Sequence, residues 1–145
     1  MPFIKIYIHF VWTTKNKKPL LDTSQLRLKV WTHMREYARS QGIFIDTING
    51  YKDHCHCLIS LGNNQAVGKI LQLIKGESSH WINKNQLSKE RFQWQHEYFA
   101  SSVSESAIDK VRNYIINQDA HHEPNTFEYE YNRWIAQYGF QNDME

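Results

Sequence analysis

Between Ile4 and Gln118 the apolar residues switch repeatedly from a period of two to a period of three or four, and the order of those switches restricts the fold. Ile4, Ile6, Ile8, Phe10 and Trp12 alternate, as the inward side chains of a half-buried strand must. Leu26, Val30, Met34 and Tyr37 then recur at helical spacing, after Asp22, Thr23 or Ser24 as N-cap and before Gly42 as the stop. Ile43 to Ile48 alternates with β-branched residues, Asn49-Gly50 is a turn signal, and Cys55 to Leu61 resumes an extended apolar run. These segments predict a hairpin. Beyond Gly62-Asn63-Asn64, a second helical stripe of Val67, Ile70, Leu71, Ile74 and Trp81 should end near Asn85.

Tyr98 to Val103 reads as a fourth strand, and Ser104 with Glu105 should cap a helix that turns Ile108, Val111 and Ile115 inward and carries Gln118 in its last turns. Pro124 bars continuation, and Phe127, Tyr129, Tyr131, Trp134 and Tyr138 predict one more short helix against the body. The order strand, helix, strand, strand, helix, strand predicts an α+β fold: a ferredoxin-like βαββαβ antiparallel sheet with helices on one face, followed by a tyrosine-bearing helix. The length of 145 residues suits a single domain spanning 1–145.

A fold of this kind hosts many activities, so function must be argued from side chains. The net charge of +2 conceals a crowd of Lys15, Lys17 and Lys18, which suits a polyanion partner or simply a solvated loop. Cys55 and Cys57, two positions apart on one predicted strand, are too constrained to staple a secreted fold, and the expected location is the reducing cytoplasm. The N-terminal segment is interrupted by Lys5 and His9 and does not read as a signal peptide. No apolar run approaches the roughly 20 residues of a spanning helix, so no membrane partner is expected.

Two spacings carry the chemistry. His54 and His56 lie at i and i+2 of the third predicted strand, so both imidazoles occupy one face with Leu58, while Cys55, Cys57 and Ile59 take the other. A four-ligand zinc site of His-Cys-His-Cys therefore fails, because tetrahedral donors must converge. Tyr114 and Gln118 lie at i and i+4 of the last predicted helix and share a side beside its buried stripe. A tyrosine is a poor nucleophile until a cation or base stabilises its phenolate, and the natural electrophile for metal-assisted attack is a phosphodiester. Each residue alone has a plainer explanation in packing or solvation; their conjunction is what points to a site.

In order along the chain, Ile-His-Phe-Val-Trp-Thr-Thr-Lys (8–15), Asp-His-Cys-His-Cys-Leu-Ile-Ser (53–60), Ile-Lys-Gly-Glu-Ser-Ser (74–79) and Tyr-Ile-Ile-Asn-Gln (114–118) resemble the single-tyrosine His-hydrophobe-His transposases. These are the IS200-like transposases of insertion sequences that move as single-stranded DNA, together with the REP-associated tyrosine transposases. Cys55 stands at the hydrophobic middle position as a small apolar substitute.

The resemblance implies that Tyr114 is the nucleophile, that His54, His56 and Gln118 hold a divalent Mg²⁺ or Mn²⁺, and that the fold is ferredoxin-like. It implies cleavage and rejoining of single-stranded DNA at hairpin-marked ends through a 5′-phosphotyrosine, with release of a 3′-hydroxyl and no ATP. It also implies a homodimer in which the tyrosine helix of one subunit can complete the site of the other. Lys15, Lys17, Lys18, Lys75, Lys110 and Arg112 are candidate phosphate contacts, and Trp94, Tyr98 or Phe99 candidate stacking partners for bases, against the plainer reading of solvated lysines and core aromatics. His9 resembles the family's strand-one histidine; His121 and His122, being consecutive, diverge too far to act as a ligand pair. The alternatives are a domesticated REP-associated relative and a nucleic-acid-binding ferredoxin-like module with a decayed site.

Overall fold

The computed structural model describes residues 2–118. Pro124, His121, His122 and the aromatic segment from Phe127 to Tyr138 lie outside the described residues. Four strands, β1 (Ile6–Thr13), β2 (Phe44–Tyr51), β3 (His54–Leu61) and β4 (Phe99–Val103), form one antiparallel sheet in the order β2-β3-β1-β4. Helices α1 (Ser24–Ser40) and α2 (Val67–Lys84) follow β1 and β3, and α3 (Ile108–Ile116) follows β4. This is the predicted βαββαβ order with the tyrosine-bearing helix appended.

Alternation decides which face each side chain takes. Phe10, Trp12, Cys55, Cys57 and Ile59 project into one core with Val30, Trp31, Met34 and Ala38 of α1 and Ile70, Leu71, Ile74 and Ile82 of α2. The cysteines are thus buried away from His54 and His56, as the period of two requires, and burial pushes both thiols up from their usual pKa. Leu58 and Val103 point the other way and pack against Ile108, Val111 and Ile115. The tyrosine-bearing helix therefore covers the face opposite α1 and α2. Among the described residues no helix is long and apolar enough to cross a membrane.

The caps of α1 follow expectation: the Thr23 hydroxyl accepts from the Leu26 N–H at 3.1 Å, and Gly42 beyond the helix takes φ +73°. Two local expectations are corrected. Asn49-Gly50 lies inside β2, and the hairpin turns at Lys52-Asp53 between the paired Tyr51 and His54. A Cβ at Gly50 would collide with the His54 carbonyl oxygen and lie 3.0 Å from Trp31 Cζ2, so this glycine serves close strand approach and not a turn. At the other end, the chain passes from β4 through a 3-10 turn (Glu105–Ala107), and no side chain caps α3.

Candidate active site

β3 is a central strand, so its His54-His56 face is flanked on both sides by paired backbone. Thr13 lies across from His54 and Val11 from His56 on β1, with Tyr51 and Asn49 as their partners on β2. α3 is then fixed over this face by three means. Its apolar stripe of Ile108, Val111 and Ile115 packs on Leu58 and Val103. The Arg112 fork donates to both Asp46 oxygens, Nε to Oδ1 at 2.8 Å and Nη2 to Oδ2 at 2.7 Å. Asn49 Nδ2 donates to the Ile116 carbonyl at 2.9 Å, satisfying one of the acceptors left open at a helix end.

Asp46 sits at a bulge where the β2-β3 register slips between Ile45 and Thr47, and the extra residue presents its carboxylate to α3. The Arg112 hydrogen bonds, aided by the Thr47 hydroxyl at 2.6 Å, hold the Asp46 carboxyl below its usual pKa and raise that of Arg112.

That docking brings all four singled-out residues together within one chain. The His54 and His56 rings stand edge to face with centroids 5.2 Å apart, and the Tyr114 ring lies 5.5 Å from His56 at 79°. Gln118, which follows the C-cap residue Asn117, places Oε1 3.2 Å from His54 Nε2 while its Nε2 donates to the Tyr114 carbonyl at 3.2 Å. His54, His56 and Gln118 are fully buried, and Tyr114 is half-buried.

The two imidazoles are also held from behind. His54 Nδ1 lies 2.8 Å from Asp53 Oδ1, and His56 Nδ1 lies 3.0 Å from His9 Nε2. Burial pushes the His9 pKa down to about 3, so near neutral pH it is an uncharged imidazole able to accept a proton-bearing Nδ1. With both Nδ1 atoms engaged, both rings are oriented to offer Nε2 as the donor atom. The sequence marked His9 only through its resemblance; its contact with His56 spans 47 positions and has no local signal.

The donor set fits a divalent cation. Two imidazoles and an amide oxygen make a mixed nitrogen and oxygen set that can take a divalent cation, Mn²⁺ more readily than the harder Mg²⁺, and an outer partner such as Asp53 is what ligating histidines ordinarily have. The 3.2 Å between His54 Nε2 and Gln118 Oε1 is close to the roughly 3 Å that adjacent donors keep on one octahedral ion with bonds of about 2.1 Å. Among the described residues no group of three or more His, Cys, Asp or Glu side chains is placed to hold a metal ion, and the set here is two histidines and an amide.

The candidate DNA contacts are placed less uniformly. Lys15, Lys17 and Lys110 are exposed, and Lys18 is exposed but paired with Glu90 at 2.9 Å. Arg112 is committed to Asp46 and Asp109. The Lys75 ammonium donates to the carbonyls of Gln95 and His96 at 2.6 and 3.0 Å, and burial lowers its pKa. Trp94 and Phe99 are core residues, the former donating from Nε1 to Ser78 Oγ at 2.9 Å, which leaves Tyr98 as the exposed ring of the three.

The fold and its sequence have known counterparts. A candidate transposase from Deinococcus radiodurans R1 superposes with a TM-score of 0.65 at 20% identity, over 81% of this chain and 93% of that one. A REP-associated tyrosine transposase solved bound to a REP hairpin does so with a TM-score of 0.62 at 17% identity, over 84% of this chain and 72% of that one. Identities this low show a shared fold and no more. No curated protein matches the sequence. The model of the family described as IS200-like transposases matches residues 3–118, which take in all four strands, the histidine pair, Tyr114 and Gln118; the chain belongs to that family.

Proposed function

We propose that the chain is a DNA strand-transfer enzyme that cleaves and rejoins single-stranded DNA at hairpin-marked ends, with Tyr114 as nucleophile. The observation that carries the reading is the convergence of His54, His56, Tyr114 and Gln118 from two distant segments onto one face. A structural histidine would also seek a partner for its buried nitrogen, but with Asp53 engaging His54 Nδ1, the facing His54 Nε2 and Gln118 Oε1 are two lone-pair atoms that a cation between them would satisfy. The REP hairpin held by one structural neighbour supports a hairpin as the kind of DNA recognised.

In this mechanism the Tyr114 hydroxyl oxygen attacks the scissile phosphorus, the bond to the 3′ oxygen breaks, and a 5′-phosphotyrosine and a free 3′-hydroxyl result. The phenol loses one proton and the departing oxygen gains one. A second 3′-hydroxyl reverses the step, and because one phosphodiester is exchanged for another, no ATP is required. A divalent ion held by His54, His56 and Gln118 would supply charge neutralisation at the phosphate and at the departing oxygen. Asp53 and His9 keep the two rings in the required orientation, and the docked α3 holds the Tyr114 ring beside His56. Assembly as a homodimer belongs to the same proposal, although a single chain already brings the four residues together in cis.

The test is incubation of the protein with labelled single-stranded hairpin DNA and Mn²⁺ or Mg²⁺. A protein-DNA adduct that survives denaturation is expected, and Tyr114→Phe should not form it. An adduct formed by Tyr114→Phe would remove the tyrosine from the role of nucleophile. His56→Ala should lose cleavage while keeping DNA binding, and an equal loss of both would make that histidine structural.

A further inference from the structure

On the side of the molecule away from Tyr114, a groove of about 600 Å³ runs between α2 and the segment 93–98 that leads into β4. Its floor is one face of α2, along which Gly68, Gln72, Gly76 and Ser79 succeed one another at three- or four-residue spacing. A Cβ placed on Gly76 would meet nothing within 4 Å. Glycine within a helix costs about 1 kcal/mol relative to alanine, and at Gly76 no packing among the described residues accounts for that cost.

The opposite wall carries Tyr98, 41% exposed, with the Lys75 ammonium 5.7 Å from its ring centroid. Lys75 also pins the wall to the helix through the carbonyls of Gln95 and His96. Lys15 contributes a second cation, Gln72 and Gln93 contribute amides, and among the described residues no carboxylate lines the groove. Of the acids adjoining lining residues, Glu97 accepts from Gln95 Nε2 at 2.8 Å and Glu77 lies 2.9 Å from His33 Nε2.

The sheet joins this groove to the candidate active site. Thr13 is the cross-strand partner of His54, Thr14 pairs with Trp94, and the Lys15 N–H donates to the Gln93 carbonyl at 2.9 Å. Two residues of extended chain, about 7 Å, separate the position beside His54 from the groove's Lys15.

We propose that this groove binds unpaired nucleotides of the DNA strand engaged at Tyr114. A base stacks on Tyr98, the amides of Gln72 and Gln93 bond its edge, and a phosphate lies at Lys15. The combination of aromatic wall, amides and lysine is that of a single-strand site, since bases in a duplex have their faces already stacked and cannot enter. The volume lies within the range of small-ligand pockets, enough for one or two nucleotides and too little for a helix of DNA. The inference rests on the strand-transfer reading above and adds to it the surface that holds the strand.

The experiment uses the full chain carrying Tyr114→Phe, so that binding is read without covalent capture. Fluorescence anisotropy measures its affinity for a labelled single-stranded oligonucleotide of mixed sequence, and for a hairpin with and without an unpaired extension. Gly76→Phe fills the groove from a position where space is open, Gln25→Phe, exposed on α1 outside the groove, is its control, and Tyr98→Ala removes the stacking ring. Gly76→Phe and Tyr98→Ala should each weaken single-strand binding about tenfold and abolish the gain conferred by the extension. Gln25→Phe should bind as the parent does, and affinity for the blunt hairpin should be unchanged in all three. Groove variants that melt like the parent and bind the single strand equally well would overturn the groove while leaving strand transfer standing. A parent that binds no single-stranded DNA, together with a wild type that forms no adduct, would overturn both.

Discussion

Replacing Gly50 by alanine tests whether close strand approach beside His54 is what this position is for. The added Cβ would fall within the contact radius of the His54 carbonyl oxygen and 3.0 Å from both Cys55 Cα and Trp31 Cζ2. Two of those three obstacles are backbone of the paired strand, so no rotamer change relieves them, and Trp31 is a buried core ring. Overpacking typically costs 1–3 kcal/mol, and a collision with backbone belongs at the upper end, about 3 kcal/mol. For a chain of this size that is a fall in melting temperature of about 10 °C. Gly76→Ala is the matched control: the same atom is added in open space on a helix, which should stabilise by about 1 kcal/mol and raise the melting temperature by about 3 °C. Thermal melts followed by circular dichroism, with urea titrations to check that the m-value is constant, measure both. Because relief of the Gly50 clash must move β3 where it carries His54, adduct formation should also fall in Gly50→Ala. A Gly50→Ala protein within about 0.5 kcal/mol of wild type would refute the argument.

Asp46→Asn should destabilise the protein at neutral pH by removing the negative charge and replacing one of the two oxygens that accept from the Arg112 fork with an N–H donor. Since Arg112 depresses the folded-state pKa of Asp46, the stabilisation is present above the unfolded value of about 3.9 and is lost as pH falls through the lower folded value. The gap between wild type and Asp46→Asn in urea titrations should therefore close in acid, and a gap constant down to pH 2 would contradict the ion pair. His9→Leu should weaken Mn²⁺ binding by roughly 10–100-fold in calorimetric titration, because His56 loses the acceptor that orients its Nδ1. His9→Gln, whose amide carbonyl offers an acceptor near the position of Nε2, should recover much of it; unchanged affinity in His9→Leu would show that the contact does not orient the ligand.

The hairpin turn shows why a strong local signal misled. Asn49-Gly50 has the φ preferences of a tight turn, yet the chain spends Gly50 on the approach of β2 to β3 and Trp31 and makes its turn two residues later. Ser104 and Glu105 likewise look like a helix start, but the chain makes a 3-10 turn there before α3 begins at Ile108. Arg112 reads in sequence as one more cation for phosphate, and only the bulge at Asp46 shows it clamping α3. The face of the sheet that α3 covers had no readable cue either, because an apolar stripe states that a helix packs without stating against which side.

Periodicity alone determined the order of strands and helices, the separation of Cys55 and Cys57 from His54 and His56, and the pairing of Tyr114 with Gln118, because these follow from the backbone repeats of strand and helix. Tertiary structure decided that α3 lies opposite α1 and α2, that Gln118 meets His54 across 64 positions, that His9 backs His56 across 47, and that Arg112 meets Asp46 across 66. Contacts over such separations depend on how whole elements pack, and no local repeat encodes them.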